Sequence, residues 1–297
     1  MQLTELTNSS SSIMMVQRSR KNGFPFINRF KRGPMHEQIA TAFQAYGEVG
    51  RVTVHHLTSI SLLSTMHEDI CHVAEKKGVG MIILPFHKRW GGADEEVTQD
   101  MGQGWSEVNQ RVLQNAPCPV AVLVNRGASR RYEQEPETSV IARKRVCMIF
   151  IGGPHDRKVL ELGNRMAEHP AITLLLVRFT SCTQSGDEGP RQNHWEIEKE
   201  LDEEAVNGFK AKWQESVEYM EKNVTNITEE VLSIGKSKDC DLVIVGKQQQ
   251  QQLEPNIEHA ELGPIGDLFA CSGNRITSSL LVIQDTRFMN PNEMKVV

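Results

Sequence analysis

The feature that most constrains this chain is an alternation of short, continuous apolar runs with stretches of helical periodicity. Strand-sized apolar runs lie at Met81–Phe86, Pro119–Val124, Val146–Ile151, Ala171–Phe179, Asp241–Gly246 and Ser279–Gln284, and Val52–Ile60 also reads as a strand. Runs apolar at every position, rather than at every second one, suit strands covered on both faces. Between them, apolar residues recur at helical spacing. Met66, Ile70, Val73 and Ala74 share one face behind a Thr65/Glu68 capping pair. Trp105, Val108, Val112, Leu113 and Ala116 form a second stripe, and Val159, Leu160, Leu162 and Met166 a third, after Pro154. Further helices are expected over Trp195 to about Glu221, Thr228–Lys238 and Ile265–Ala270; Lys88–Gly104 and Thr180–Asn193 read as loops. This order specifies an α/β fold, a parallel sheet with helices on both faces. The pattern runs twice, separated by the polar stretch Asn125–Lys144, so the chain reads as a degenerate tandem repeat.

With 297 residues the chain can bury two cores, and 39% hydrophobic with 24% charged residues is a globular composition. A net charge of -5 argues against a nucleic-acid partner. One basic arm stands out, with Arg18, Arg20, Lys21, Arg29, Lys31 and Arg32 and no acid between Glu5 and Glu37. It suits either an anionic surface or a solvated loop. The longest apolar runs fall far short of the ~20 residues that a membrane-crossing helix needs. The six cysteines form no C-x-x-C pair, which fits reduced thiols better than a zinc site or a disulfide framework.

Catalytic patterns are missing. His67-Glu68 with His72 imitates H-E-x-x-H, but the histidines are five apart and therefore turned about 140° from each other on a helix. No G-x-S-x-G elbow occurs. Glu230 and Asp241 occupy the first-glycine positions of the two P-loop-like stretches ending Gly235-Lys236 and Gly246-Lys247. No catalytic residue, metal site or obligatory cofactor is therefore expected. The remaining candidate ligand site is the turn Gly152, Gly153, His155, Asp156 and Arg157 after a strand, together with Gly246, Lys247, Gly263 and Gly266. Ligands of open parallel sheets sit beyond the carboxyl ends of strands, and free N–H groups at helix starts attract anions such as a nucleotide phosphate. The alternative is that these glycines only close tight βα turns. His67 and His87 are candidate proton sensors, since imidazole titrates near neutrality; the segment around His87 also reads as an exposed loop.

The segments Met66 to Cys71, Ile83 to Lys88, Asn109 to Leu113 with Ala116-Pro117-Cys118, Gly152 to Arg157, Arg165 to Pro170 and Glu261 to Gly266 form an ordered series of motifs. Together they closely resemble the cytosolic C-terminal region of plant cation/proton exchangers of the cation/proton antiporter-2 superfamily. The resemblance implies two tandem doubly wound domains similar to universal stress proteins. The first, over 1–127, is read as N-terminally truncated; a linker at 128–143, a second domain over 144–286 and a tail at 287–297 follow. It also implies a non-enzymatic regulatory region at the cytoplasmic face of an endomembrane or plasma membrane. Its partner would be the antiporter's membrane transport domain, with a second copy of the chain as a further candidate partner, and its role potassium and pH homeostasis. The other reading is a free-standing universal-stress-type nucleotide-binding protein.

Overall fold

In a computed structural model the described residues are 2–5, 58–90, 97–100, 102–126, 144–180, 192–224, 226–237, 239–248, 257–270 and 276–286. The chain divides into two compact units, Met1–Ile70 and Cys71–Val297. In the first, strands β1 (Gln2–Glu5) and β2 (Thr58–Ser61) pair in parallel. Helix α1 (Met66–Lys77) starts where expected. The Thr65 carbonyl receives the Glu68 and Asp69 amides, while the Thr65 hydroxyl turns to the Leu62 carbonyl instead of capping.

The second unit is organised on a seven-stranded sheet. Its strands are β3 (Ile82–Pro85), β6 (Val120–Val124), β7 (Lys144–Phe150), β8 (Ile172–Thr180), β9 (Val217–Asn223), β10 (Leu242–Gly246) and β11 (Ser279–Gln284). The order across the sheet is β3-β6-β11-β10-β7-β8-β9. Every adjacent pair is parallel except β6 and β11, which run antiparallel with Val122 opposite Val282. The α/β fold with a mostly parallel sheet is thus as the sequence predicts. Its unpredicted feature is the join, in which the closing strands of the two sequence halves pair with each other and make one sheet of both. Both strands are apolar, and β11 is buried along its whole length. An edge of that kind exposed to water would invite pairing with another chain.

The helices α2 (Gln103–Asn115), α3 (Pro154–Met166), α4 (Gln192–Trp213), α5 (Ile227–Lys236) and α6 (Gly263–Ala270) fill the sequence between the strands. One core cluster joins Met148 and Phe150 of β7, Leu174 and Leu176 of β8, Val159 and Leu160 of α3, and Phe209 of α4. Helix α3 comes close to the sheet at Gly163, where an added Cβ would stand 2.3 Å from Met148 Sδ and 3.3 Å from Phe209 Cε2.

Two local expectations are overturned. The helix expected to reach Glu221 stops at Trp213, and Val217–Asn223 is the edge strand β9, paired in parallel with β8. The acidic pattern of α4 hides this change of period. Val217 and Tyr219 are half-buried while Glu218 and Met220 are exposed, the alternation of an edge strand. The loop expected over Lys88–Gly104 contains an antiparallel pair, β4 (Lys88–Trp90) with β5 (Val97–Asp100), and α2 begins at Gln103. The basic arm, residues 52–57 of the expected Val52–Ile60 strand, and most of the linker, the Thr180–Asn193 loop and the Gln248–Gln252 tract lie outside the described residues.

Valine at Gly163 would meet Met148 and Phe209 in a core without room for it. Gly163→Val is expected to lower stability by about 1–3 kcal/mol, read from the urea midpoint.

Candidate functional site

The turn between β7 and α3 holds Gly152 at φ 137 and Gly153 at φ 95, in the left-handed region where side chains are strained. Pro154 occupies the first turn of α3. Two residues on, the Asp156 carboxylate folds back over the turn. Its Oδ2 accepts from the N–H groups of Ile151 (2.7 Å) and Gly152 (2.8 Å), and its Oδ1 accepts from Gly246 N–H at the end of β10 (2.8 Å). Gln248 Nε2 lies 3.4 Å from both oxygens. Asp156 is 0 % exposed. Burial pushes its pKa up to about 6, against the lowering pull of the three backbone donors, and the nearby Asp202 charge adds to the rise.

A second carboxylate serves the same turn. Asp202 of α4 accepts from Gly153 N–H through Oδ2 (2.8 Å) and from Arg157 Nη1 through Oδ1 (2.5 Å). Arg157 Nη2 also donates to Glu198 Oε2 at 2.7 Å. Burial tends to lower the Arg157 pKa, but the Glu198 and Asp202 carboxylates outweigh it and hold the pKa above the usual value. The positive start of α3 is therefore met by two acids of the chain itself. The N–H groups of Gly152 and Gly153, which a phosphate would need, already have carboxylate acceptors.

Of the residues the sequence marks here, Gly152, Gly153, Asp156, Arg157 and Gly246 come together in one network. Gly246 is required by close approach, since a Cβ there would stand 2.3 Å from Asp156 Oδ1 and 2.8 Å from the His155 carbonyl carbon. Lys247 and Gly263 are neighbours, with an added Cβ on Gly263 falling 3.1 Å from Lys247 Cγ, and Lys247 Nζ donates to Gln284 Oε1 (3.0 Å). His155 turns away, its Nδ1 accepting from Asp285 N–H (2.9 Å), and burial lowers its pKa to about 4. Gly266 lies inside α6, where a Cβ would collide with Leu262 and Val282. The sequence did not mark Asp202, Glu198 or Gln248 as part of the site. Glu198 and Asp202 stand one helical turn apart, a spacing that serves dipole compensation equally well.

His87 is not in an exposed loop as expected. It is 6 % exposed, and its Nδ1 lies 3.3 Å from Oε1 of Glu261, itself 1 % exposed. Ser106 donates to the same oxygen (2.8 Å). Burial alone would raise the Glu261 pKa, but His87, its own backbone N–H and Ser106 hold it down to about 2. Phe86 packs against both His87 and His259, whose rings lie 5.6 Å apart. Lys88 Nζ lies 2.9 Å from His259 Nε2; an ammonium only donates, so His259 Nδ1–H is left to donate to Asp267 (2.7 Å). This buried polar seam ties residues 86–110 to residues 258–267. His67 belongs to the other unit and stands 4.0 Å from Glu68.

Gly246→Ala tests the carboxylate hub, because the methyl would meet backbone as well as Asp156. It is expected to destabilise the chain by about 1–3 kcal/mol, measured by chemical unfolding.

Two family models match this chain, the plant cation/H(+) antiporter domain over residues 1–128 and the plant cation/H(+) antiporter C-terminal domain over residues 143–284. Cation/H(+) antiporter 20 of Arabidopsis thaliana is 48% identical over 96% of this chain and 38% of its own length. Cation/H(+) antiporter 19 of the same plant is 39% identical over 96% of this chain and 35% of its own length. This chain thus spans little more than a third of these relatives. Among solved structures, a putative universal stress protein from Pseudomonas aeruginosa UCBPP-PA14 aligns with 96% of this chain and 92% of that one at 13% identity and a TM-score of 0.42. Matched by these models in both halves and by these relatives along nearly its whole length, the chain belongs to the plant cation/H(+) antiporter family.

Proposed function

We propose that this chain is the regulatory region of a monovalent cation:proton antiporter, acting in potassium and pH homeostasis through contact with the membrane transport domain. The observation that carries this reading is a division of labour. The chain matches antiporters over about a third of their length, yet among the described residues no helix is long and apolar enough to cross a membrane. In this reading it lies at the cytoplasmic face of an endomembrane or the plasma membrane. Its halves, 1–127 and 144–286, are joined by the linker 128–143 and followed by the tail 287–297, and they work as binding modules without chemistry of their own.

The turn Gly152–Arg157 with Gly246, Lys247 and Gly263 is the regulatory centre of this proposal. Its carboxylates hold the N–H groups that a nucleotide phosphate would need. That arrangement supports regulation through rearrangement of this carboxylate network rather than through a resident nucleotide.

Two measurements check the proposal. Joining this chain to the membrane portion of Cation/H(+) antiporter 20 and expressing the fusion in a potassium-sensitive yeast strain is expected to support growth that falls when residues 1–297 are deleted. Unchanged growth on deletion would overturn the regulatory role. Calorimetry of the chain with ATP and AMP is expected to give no saturable heat. Micromolar binding abolished by Gly153→Val would favour a nucleotide-binding stress protein instead.

A further inference from the structure

We propose that Asp156 is a proton-operated latch: when it takes up a proton, the end of β10 at Gly246 and the Gln248 side chain come free of the β7–α3 turn, while the sheet stays folded. This deepens the regulatory reading, on which its physiological sense rests, by identifying the proton as the effector at that site.

The balance of donors and acceptors around Asp156 sets its response to a proton. An ionised carboxylate is acceptor-only, and here both oxygens face N–H groups, with Ile151 and Gly152 on Oδ2 and Gly246 on Oδ1. Gln248 Nε2 adds a weaker approach to both oxygens, and it also approaches the Gly246 carbonyl at 3.3 Å. A proton on Asp156 turns one of these oxygens into a donor that points at another donor. Oδ1 holds one backbone bond and Oδ2 holds two, so protonation falls on Oδ1. Gly246 N–H then parts from Asp156, and Gln248 goes with it. The β7–α3 side keeps its two bonds and the turn stays closed.

The release is local because the body of β10 is held independently. Leu242 to Ile244 pair with β7, and Leu242 to Gly246 pair with β11. Only the end of the strand depends on Asp156 to join it to α3.

Among the described residues, few charged groups surround Asp156. On α3, His155 accepts from Asp285 N–H and is kept neutral by burial, with its pKa at about 4, and Arg157 is bound by Glu198 and Asp202. From α4, Asp202 faces the turn and its negative charge favours proton uptake at Asp156. After β10, Lys247 is engaged with Gln284. Asp285 follows β11 and is fully buried.

The sign follows from burial. The pKa of Asp156 in the folded chain, about 6, is above the unfolded value of about 4. The folded chain therefore keeps this proton over an interval in which the unfolded chain has lost it. The stabilisation from the bound proton is complete below about pH 4 and fades as pH rises through about 6. Mild acidification consequently opens the latch without unfolding the protein.

The test uses the whole chain, labelled with 15N and 13C, between about pH 4.5 and 7.5. Amide exchange protection at Gly246, taken relative to Ile244 in the same strand, is expected to fall at least about tenfold on acidification. The Asp156 carboxyl carbon is expected to titrate at the same midpoint. Asp202→Asn keeps an oxygen acceptor for Gly153 but removes the charge, and it is expected to move both midpoints to lower pH. The proposal is overturned if Gly246 protection follows Ile244 at every pH, if the Asp156 carboxyl does not titrate in this range, or if Asp202→Asn leaves the midpoint in place. Because these readouts need no transporter, a working latch in a chain whose deletion leaves yeast growth unchanged would retain the latch and remove the regulatory reading.

Discussion

A single buried carboxylate holds together the parts of this structure that the sequence leaves apart. Asp156 receives N–H donors from the β7–α3 turn and from the end of β10, ninety residues further along the chain. An unpaired charge in such a place is strongly unfavourable, and one surrounded by aligned donors is tolerated. The glycines follow from it. Gly246 leaves room for the carboxylate, while Gly152 and Gly153 let the backbone present its N–H groups to Asp156 and Asp202. Substituting any of them disturbs the same arrangement, so their common occurrence in one site has a structural cause.

The second organising contact is between the halves. Antiparallel pairing of β6 with β11 removes two apolar edges at once, and the polar seam of His87, Glu261, Lys88, His259 and Asp267 adds a specific tie beside it. Apolar pairing tolerates neighbouring registers when every position is similar, whereas a buried glutamate that needs His87 and Ser106 does not. The seam thus supplies the discrimination that two uniformly apolar strands lack. It also ties residues of the two sequence halves together through buried side chains.

Much of the fold was legible because burial on both faces leaves a local trace. Continuous apolar runs at Pro119–Val124, Val146–Ile151 and Asp241–Gly246 became central strands, and the stripe Val159, Leu160, Leu162 and Met166 became the core face of α3. The failures lie where that trace is faint. Strand β9 is half-exposed and rich in charge, so Val217–Asn223 looked like more of the acidic helix before it. The pair β4–β5 is short and polar, and its segment looked like loop. Of the candidate site, the glycine turn and Asp156 were visible as a motif. Asp202 and Gln248 were not, because a carboxylate on a distant helix and an amide in a glutamine tract have no spacing that announces a partner.

From the order of its residues this chain declares its class of architecture, the faces each helix and strand will hide, and the family to which it is kin. These are local properties, set by side-chain periodicity and turn chemistry within a few residues. Folding in three dimensions settled matters that no short window contains. It brought β6 beside β11, buried His87 against Glu261, and filled the N–H groups of the α3 turn with the protein's own acids in place of an open anion site. The physical reason is that partner choice depends on which groups lose water together, and groups far apart in the chain lose it together only once the sheet has closed.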